Sequence, residues 1–146
     1  MATSEKILLS NVRLSFPRLF KPKAFQEGQE PRYEAAFLLD PSDKGHAKAI
    51  ELLKTTAKEL LEEQFGKGKI PKGIKYCFGL SKDAGKEYDG YEDMFFITTA
   101  TKQRPVVCGR KREPIAEEDG IVYAGCYVNA NISLWVQDNQ FGKRIN

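Results

Sequence analysis

The stretch from Cys126 to Gln137, CYVNANISLWVQ, decides the fold that we predict for this chain. Its even-numbered residues are apolar, whereas its odd-numbered residues are uncharged aromatic, amide or hydroxyl side chains. This alternation predicts a half-buried β-strand, with one face in the core and the other in solvent. The solvent face carries Tyr127 and Trp135, and aromatic rings among small polar groups suit a planar ligand that stacks, such as a nucleobase. Alternatively, a loop or a neighbouring subunit covers Trp135.

Length and composition predict one globular domain, spanning residues 1–146. The chain has 41% hydrophobic and 29% charged residues, which is ordinary for a soluble protein. A net charge of +3 argues against a binder that depends on a strongly basic tail, but it permits a local cationic groove. No apolar run has the length of a membrane span or of a signal-peptide core, so we expect a cytoplasmic protein.

Residues that could carry catalysis or hold a metal are few. The three cysteines, Cys77, Cys108 and Cys126, are far apart and form no CxxC pair, which favours buried thiols in a reducing compartment. A zinc site or a Cys–His pair would have to rest on His46, the only histidine. We therefore expect no metal, no cofactor and no enzymatic activity.

The first part of the chain combines aromatic and cationic residues. Lys6 to Phe16 reads as a strand, which we expect Pro17 to end, and a loop follows to Pro31. Phe20 and Phe25 lie in this loop, either exposed in a groove for single-stranded nucleic acid or folded back into the core. The loop also contains three cations: Arg18, Lys21 and Lys23.

The central part of the chain predicts one helix among strands. The helix runs from His46 to Phe65, with Ser42 or Asp43 as its N-cap and Gly66 at its end. The strands are expected at Arg32 to Leu39, about Ile74 to Phe78, Met94 to Lys102 and Val106 to Cys108. The polar segment from Ser81 to Asp93 reads as an exposed, mobile loop.

Cations in two further segments are candidates for phosphate contacts, although charge runs are commonly just solvated. They are Lys102, Arg104, Arg110, Lys111 and Arg112. Four lysines between residues 67 and 75 are open to the same two readings.

The pattern as a whole predicts a mainly β fold with one α-helix, of the OB-fold type: a five-stranded antiparallel Greek-key barrel with long loops. A strand from Cys126 to Gln137 would span about 40 Å at roughly 3.3 Å per residue, and strands of that length in small domains usually curl around a barrel. The DNQFG turn after it leaves only four residues. We therefore expect a strand that pairs only with earlier segments, or a chain that has been cut short.

Four segments resemble a family of tailed-phage and prophage single-stranded-DNA-binding proteins with an OB-fold, formerly catalogued as a domain of unknown function. The segments are NVRLSFPRLFKPKAF, RYEAAFLL, TKQRPVV and YAGCYVNANISLWVQDNQFGK. The resemblance implies sequence-tolerant binding that protects single-stranded DNA (ssDNA) in phage replication or recombination, with replication or recombination enzymes as partners and self-association along the DNA. The chain stops soon after the FGK turn, so we expect the family's C-terminal continuation and acidic tail to be absent.

Under this hypothesis bases stack on Trp135, Tyr127, Phe20 and Phe25. Phosphates meet Lys21, Lys23, Lys102, Arg104, Arg110, Lys111 and Arg112. Two alternatives stay open: an RNA-binding OB domain of the cold-shock type, and a phage structural or assembly protein whose aromatic face is a subunit interface.

Overall fold

The computed structural model describes residues 2–24 and 26–146 as two β-sheets packed with one long helix. In chain order the elements are β1 (Ile7–Lys23), β2 (Arg32–Leu39), α1 (Lys44–Phe65), β3 (Lys75–Tyr76), β4 (Phe78–Leu80), β5 (Phe95–Thr101), a short 3-10 helix (Glu117–Asp119), β6 (Tyr127–Ile132), β7 (Val136–Asn139) and β8 (Gly142–Ile145). None of the helices in the described residues is long and apolar enough to cross a membrane.

The larger sheet has five strands in the order β4-β5-β2-β1-β6, and every neighbouring pair is antiparallel. The smaller sheet has the order β3-β8-β7. The predicted class is confirmed: a mainly β, OB-fold-like protein with one helix and a five-stranded antiparallel sheet. The large sheet does not close into a barrel, because β4 and β6 lie at opposite edges.

Strand β1 connects the two halves of the large sheet. Its residue Arg13 pairs with Leu38 of β2 on one side and with Tyr127 of β6 on the other. The prediction that Pro17 ends this strand is wrong, because β1 continues to Lys23. A register shift between Ser15 and Arg18 in the pairing with β2 accommodates the proline, since a bulge leaves a residue outside the ladder.

The alternation in the stretch from Cys126 to Gln137 is confirmed most clearly in its second half. Ile132, Leu134 and Val136 are buried at 8%, 1% and 0% exposure. The prediction of one continuous strand is wrong, however, because the chain leaves the large sheet after Ile132 and enters the small sheet at Val136. The returning partner that we expected to be missing is present as β8, which forms a hairpin with β7.

Helix α1 covers the inner side of the large sheet. Its N-cap is Asp43, whose side chain accepts the N–H of His46, and Gly66 ends it with a positive φ of 100°. The buried stripe of α1 belongs to the same core cluster as the inward residues of β1, β2 and β5. This stripe consists of Ile50, Leu53, Ala57, Leu60 and Leu61.

Three connecting segments differ from prediction. The strand expected near Ile74 to Phe78 is divided between β3 and β4, and Val106 to Cys108 holds only an isolated bridge from Cys108 to Pro114. The segment from Ser81 to Asp93, expected to be exposed throughout, has Tyr91 and Ser81 buried at 3% exposure each. The sequence pattern missed the burial of Tyr91 because its side chain contacts residues of distant strands.

Candidate functional site

The face of the large sheet opposite α1 is the candidate site, and we call it the outer face. Residues paired directly across strands share a face, so the pairings place Arg13, Leu38, Phe96 and Tyr127 in one row. Leu38 and Phe96 form a small cluster with Tyr91 that is separate from the main core. The segment containing Tyr91 therefore lies across this side of the sheet.

An aromatic cluster of Phe16, Tyr88 and Tyr91 stands on the outer face. The rings of Phe16 and Tyr88 meet edge to face with centroids 4.9 Å apart, and those of Tyr88 and Tyr91 are 5.2 Å apart. Phe16 is 54% exposed and Tyr88 is 49% exposed. Rings that are fixed by one another yet still open to solvent can stack on a base.

The backbone at Phe16 explains its orientation. Phe16 has a φ of 47°, a left-handed conformation that non-glycine residues rarely adopt, and it lies at the bulge immediately before Pro17. Such a conformation costs on the order of 1–3 kcal/mol and persists only where the surrounding structure imposes it. Here it turns a large apolar side chain out of the ladder toward solvent.

Tyr91 attaches the segment from Ser81 to Asp93 to the sheet. Its hydroxyl donates to Ser15 Oγ at 2.9 Å, and Ser81 Oγ donates to its carbonyl oxygen. Burial raises the pKa of the Tyr91 hydroxyl, which keeps it protonated as a donor. Lys86 adds a second contact, with its ammonium 5.0 Å from the centre of the Phe96 ring.

Arg13 lies between two glycine backbones at the margin of the aromatic cluster. A Cβ on Gly90 would come within 3.0 Å of Arg13 Nη1, and Arg13 Nε donates to the Gly125 carbonyl at 3.3 Å. Gly90 and Gly125 also have φ values of 87° and 97°, which favour glycine. Within the described residues no carboxylate lies within ion-pair distance of Arg13, so its positive charge is available to an anion.

Three strand ends bring further cations together, and we call them the cationic edge. Lys23 of β1 pairs with Arg32 of β2, and the Tyr33–Thr101 pairing places Lys102 beside Arg32. Lys102 Nζ is 2.8 Å from a carboxylate oxygen of Glu30. The hydrogen bond and the charge of Lys102 lower the pKa of Glu30.

A groove of about 420 Å³ adjoins this edge, lined by the residues from Pro17 to Lys23 with Glu117 and Val122. Phe20 is half-buried in its wall, and Lys21 Nζ forms an exposed ion pair with Glu117 at 3.5 Å. Phe20 is therefore neither fully exposed nor a plug in the core. Phe25 lies outside the described residues.

The remaining predicted residues lie in other places. Trp135 is 36% exposed, exchanges backbone hydrogen bonds with Asn146 and belongs beside the small sheet, away from the end of β6 that holds Tyr127. Arg104 is exposed in the segment after β5. Arg110, Lys111 and Arg112 form an exposed turn closed by the Arg112 N–H bond to Gly109, and a Glu113 carboxylate oxygen accepts the Lys111 N–H.

Four residues of this arrangement were not singled out from the sequence: Arg13, Phe16, Arg32 and Tyr88. Arg13 and Arg32 lie on the polar parity of their strands, and that signal was available. The positions of Phe16 and Tyr88 depend on a bulge and on a long-range hydrogen bond, which periodicity does not show.

Metal-ligating side chains do not gather in the parts of the chain that the structure describes. The ring nitrogens of His46 both lie within hydrogen-bond distance of backbone atoms, one before the helix and one in β1. Its Nδ1 accepts the Asp40 N–H at 2.9 Å, which requires the unprotonated nitrogen, and its Nε2 lies 3.0 Å from the Asn11 carbonyl oxygen.

Comparisons with known sequences identify related phage proteins. Residues 5–146 match a protein family described as Enterobacter phage Enc34, ssDNA-binding protein. Protein p50 of Acyrthosiphon pisum secondary endosymbiont phage 1 is 36% identical over 97% of this chain and 78% of its own length.

Solved structures are similar as well. The ssDNA-binding protein of bacteriophage Enc34 in complex with ssDNA gives a TM-score of 0.82 at 27% identity, covering 97% of this chain and 80% of that one. The gp2.5 ssDNA-binding protein of bacteriophage T7 gives 0.59 at 13% identity, covering 97% and 81%, and shows a similar fold.

Proposed function

The chain belongs to the Enc34 phage ssDNA-binding protein family, and from this premise we propose that it binds and protects single-stranded DNA during phage replication or recombination. The observation that carries the proposal is the exposed Phe16–Tyr88 ring pair beside Arg13, which has no carboxylate partner among residues 2–24 and 26–146. Aromatic stacking combined with cations is the general means of holding single strands with little sequence preference.

Bases stack on the outer face in this proposal. Phe16 and Tyr88 present their open sides, and Tyr127, 64% exposed, stands beside Arg13 in the next strand. The Arg13 guanidinium supplies either a phosphate contact or a stacking plane. Removing one stacked ring should weaken binding by roughly 1–3 kcal/mol.

The phosphates follow the cationic edge. Lys23, Arg32 and Lys102 lie at neighbouring strand ends, and Lys21 continues the positive surface into the groove that contains Phe20. Phe20 remains a proposed stacking residue on that path, and Phe25 remains a proposed stacking residue from the sequence alone.

A separate proposal is that a second set of predicted cations contacts phosphates: Arg104, Arg110, Lys111 and Arg112. Replacing Arg110, Lys111 and Arg112 together by glutamine should flatten the salt dependence of binding if the DNA reaches that turn. An unchanged slope would remove the turn from the site and leave the outer face intact.

Trp135 is kept as a proposed stacking residue at a distance from the aromatic cluster. As the only tryptophan, it reports on its own surroundings by fluorescence. Quenching that saturates with oligo(dT) would show that the bound DNA passes over the small sheet. Binding without quenching would show that the DNA stays on the outer face.

The deciding experiment measures the anisotropy of labelled oligo(dT) with wild type, Phe16→Ala, Tyr88→Ala and the control Phe141→Ala. Phe141 is 80% exposed in the β7–β8 turn. Its replacement also removes an exposed aromatic ring, but one that lies away from the outer face. We expect both outer-face variants to bind about 5- to 150-fold more weakly, the factor for one lost stack, and the control to bind normally.

Equal affinity of all four proteins would refute stacking on the outer face. Failure of wild type to bind at low salt would refute the function and favour an assembly protein that buries the same rings between subunits. Tighter binding of a matched RNA would favour the cold-shock-type alternative, since stacking alone does not distinguish the sugars.

The rest of the proposal follows from this role. Residues 1–146 act as one DNA-binding domain in the bacterial host cytoplasm, without catalysis and without a cofactor. Its partners beyond DNA are phage replication or recombination enzymes and further copies of itself along the strand.

A further inference from the structure

We infer that Tyr91 is a positioning residue, which holds Tyr88 against Phe16 before DNA arrives, so that the stacking site is preformed. The inference rests on the proposed function and deepens it. Tyr91 itself is 3% exposed and therefore offers no surface for a base. Its effect on binding has to pass through the residues that it places.

The local backbone joins Tyr91 to Tyr88 within one turn. The Tyr91 N–H donates to the Tyr88 carbonyl at 3.1 Å, and Gly90 between them adopts a φ of 87°. This turn lies at the end of an otherwise polar, exposed segment. Wherever Tyr91 is held, Tyr88 is therefore held as well.

The contacts of Tyr91 reach the strand that carries Phe16. Its ring packs with Leu38 and Phe96 of the outer face, and its hydroxyl donates to Ser15, the neighbour of Phe16. One side chain thus fixes the segment and the bulged strand relative to each other. The rings of Phe16 and Tyr88 lie 4.9 Å apart beside this attachment.

Positioning of this kind changes affinity through the fraction of molecules that are already competent to bind. Where the hydroxyl bond decides whether the segment is held, its loss lowers the ratio of held to released segment, and binding weakens by up to the same factor. A net hydrogen-bond contribution of ordinary size corresponds to a factor of roughly three to ten. The loss should appear without a comparable change in the DNA contacts themselves.

The test uses two substitutions that remove the same hydrogen bond from opposite ends. Tyr91→Phe keeps the packed ring, and Ser15→Ala removes the acceptor while leaving the tyrosine intact. We expect each to weaken oligo(dT) binding by a factor of up to about three to ten, and the double variant to bind no more weakly than the weaker-binding single variant. Amide hydrogen exchange between residues 82 and 90 should accelerate in both, while exchange in β2 and β5 stays unchanged.

A thermodynamic cycle with Tyr88→Ala separates positioning from a general structural role. If Tyr91 acts through Tyr88, then Tyr91→Phe loses more than half of its logarithmic effect on affinity in the Tyr88→Ala background. If half or more of the effect persists there, or if Tyr91→Phe binds like wild type, the inference is wrong. Both outcomes presuppose that wild type binds oligo(dT), so failure of the proposed function is seen separately, in the wild-type titration.

Discussion

The cationic edge offers a quantitative prediction about the salt dependence of ssDNA binding. Replacing Lys23, Arg32 and Lys102 together by glutamine removes the three charges that the strand pairings bring side by side. Each phosphate neutralised on a single strand contributes about 0.7 to the slope of log affinity against log salt. Three contacts therefore predict a slope that is less steep by about 2.1.

The ion pair at one member sets the lower limit of this estimate. Lys102 already lies 2.8 Å from the Glu30 carboxylate, so a phosphate there exchanges one anionic partner for another. If that exchange contributes nothing, two contacts remain and the slope changes by about 1.4. The predicted range is thus about 1.4 to 2.1.

The assay is oligo(dT) anisotropy across a salt series, with the melting temperature as a check on folding. The matched control replaces Lys48, Lys54 and Lys58 by glutamine. These lysines are exposed on α1, and their replacement removes the same net charge. We expect the control to keep the wild-type slope, because those lysines belong to the helix on the inner side of the sheet. Equal slopes for both triple variants would show that the DNA does not follow the cationic edge.

Further predictions address the ion pair, the thiols and the core. Glu30→Gln should tighten binding at low salt by freeing Lys102. Protonation of Glu30 should likewise free Lys102 and raise the affinity of the wild type. Because the pKa of Glu30 is lowered, this rise should appear only at a pH below the usual glutamate range, as a binding titration at acid pH would show. Burial raises the pKa of Cys77 to about 11, so a thiol reagent near neutral pH should modify exposed Cys108 first and Cys77 only on unfolding. Leu53→Ala, at a fully buried helix position, should cost about 2–5 kcal/mol in chemical denaturation.

Periodicity predicted the local elements of this fold well and their connections less well. The inward residues Ile132, Leu134 and Val136, the helix and its Asp43 cap follow from side-chain patterns within a few residues. The passage of the chain from one sheet to the other after Ile132 does not. It depends on which distant strands offer hydrogen bonds, and alternation is identical for either partner.

The candidate site was likewise predicted only where the signal is local in the sequence. Tyr127 and the cations Lys23 and Lys102 were identified because polar parity and charge are visible in the sequence. Phe16 was not, since it reaches the surface through a left-handed bulge before a proline that would ordinarily end a strand. Tyr88 was not, because a hydrogen bond spanning 76 residues holds its segment.

The measurement that tests the central claim most directly is amide NMR of the isotopically labelled protein during titration with oligo(dT). Binding on the outer face predicts that the largest shifts fall around Arg13 and Phe16, around Tyr88, along the ends of β2 and β5 and near Tyr127. The helix amides between Ile50 and Leu61 should barely move. Shifts around Trp135 and the small sheet with none on the outer face, or no shifts at stoichiometric DNA, would contradict the account.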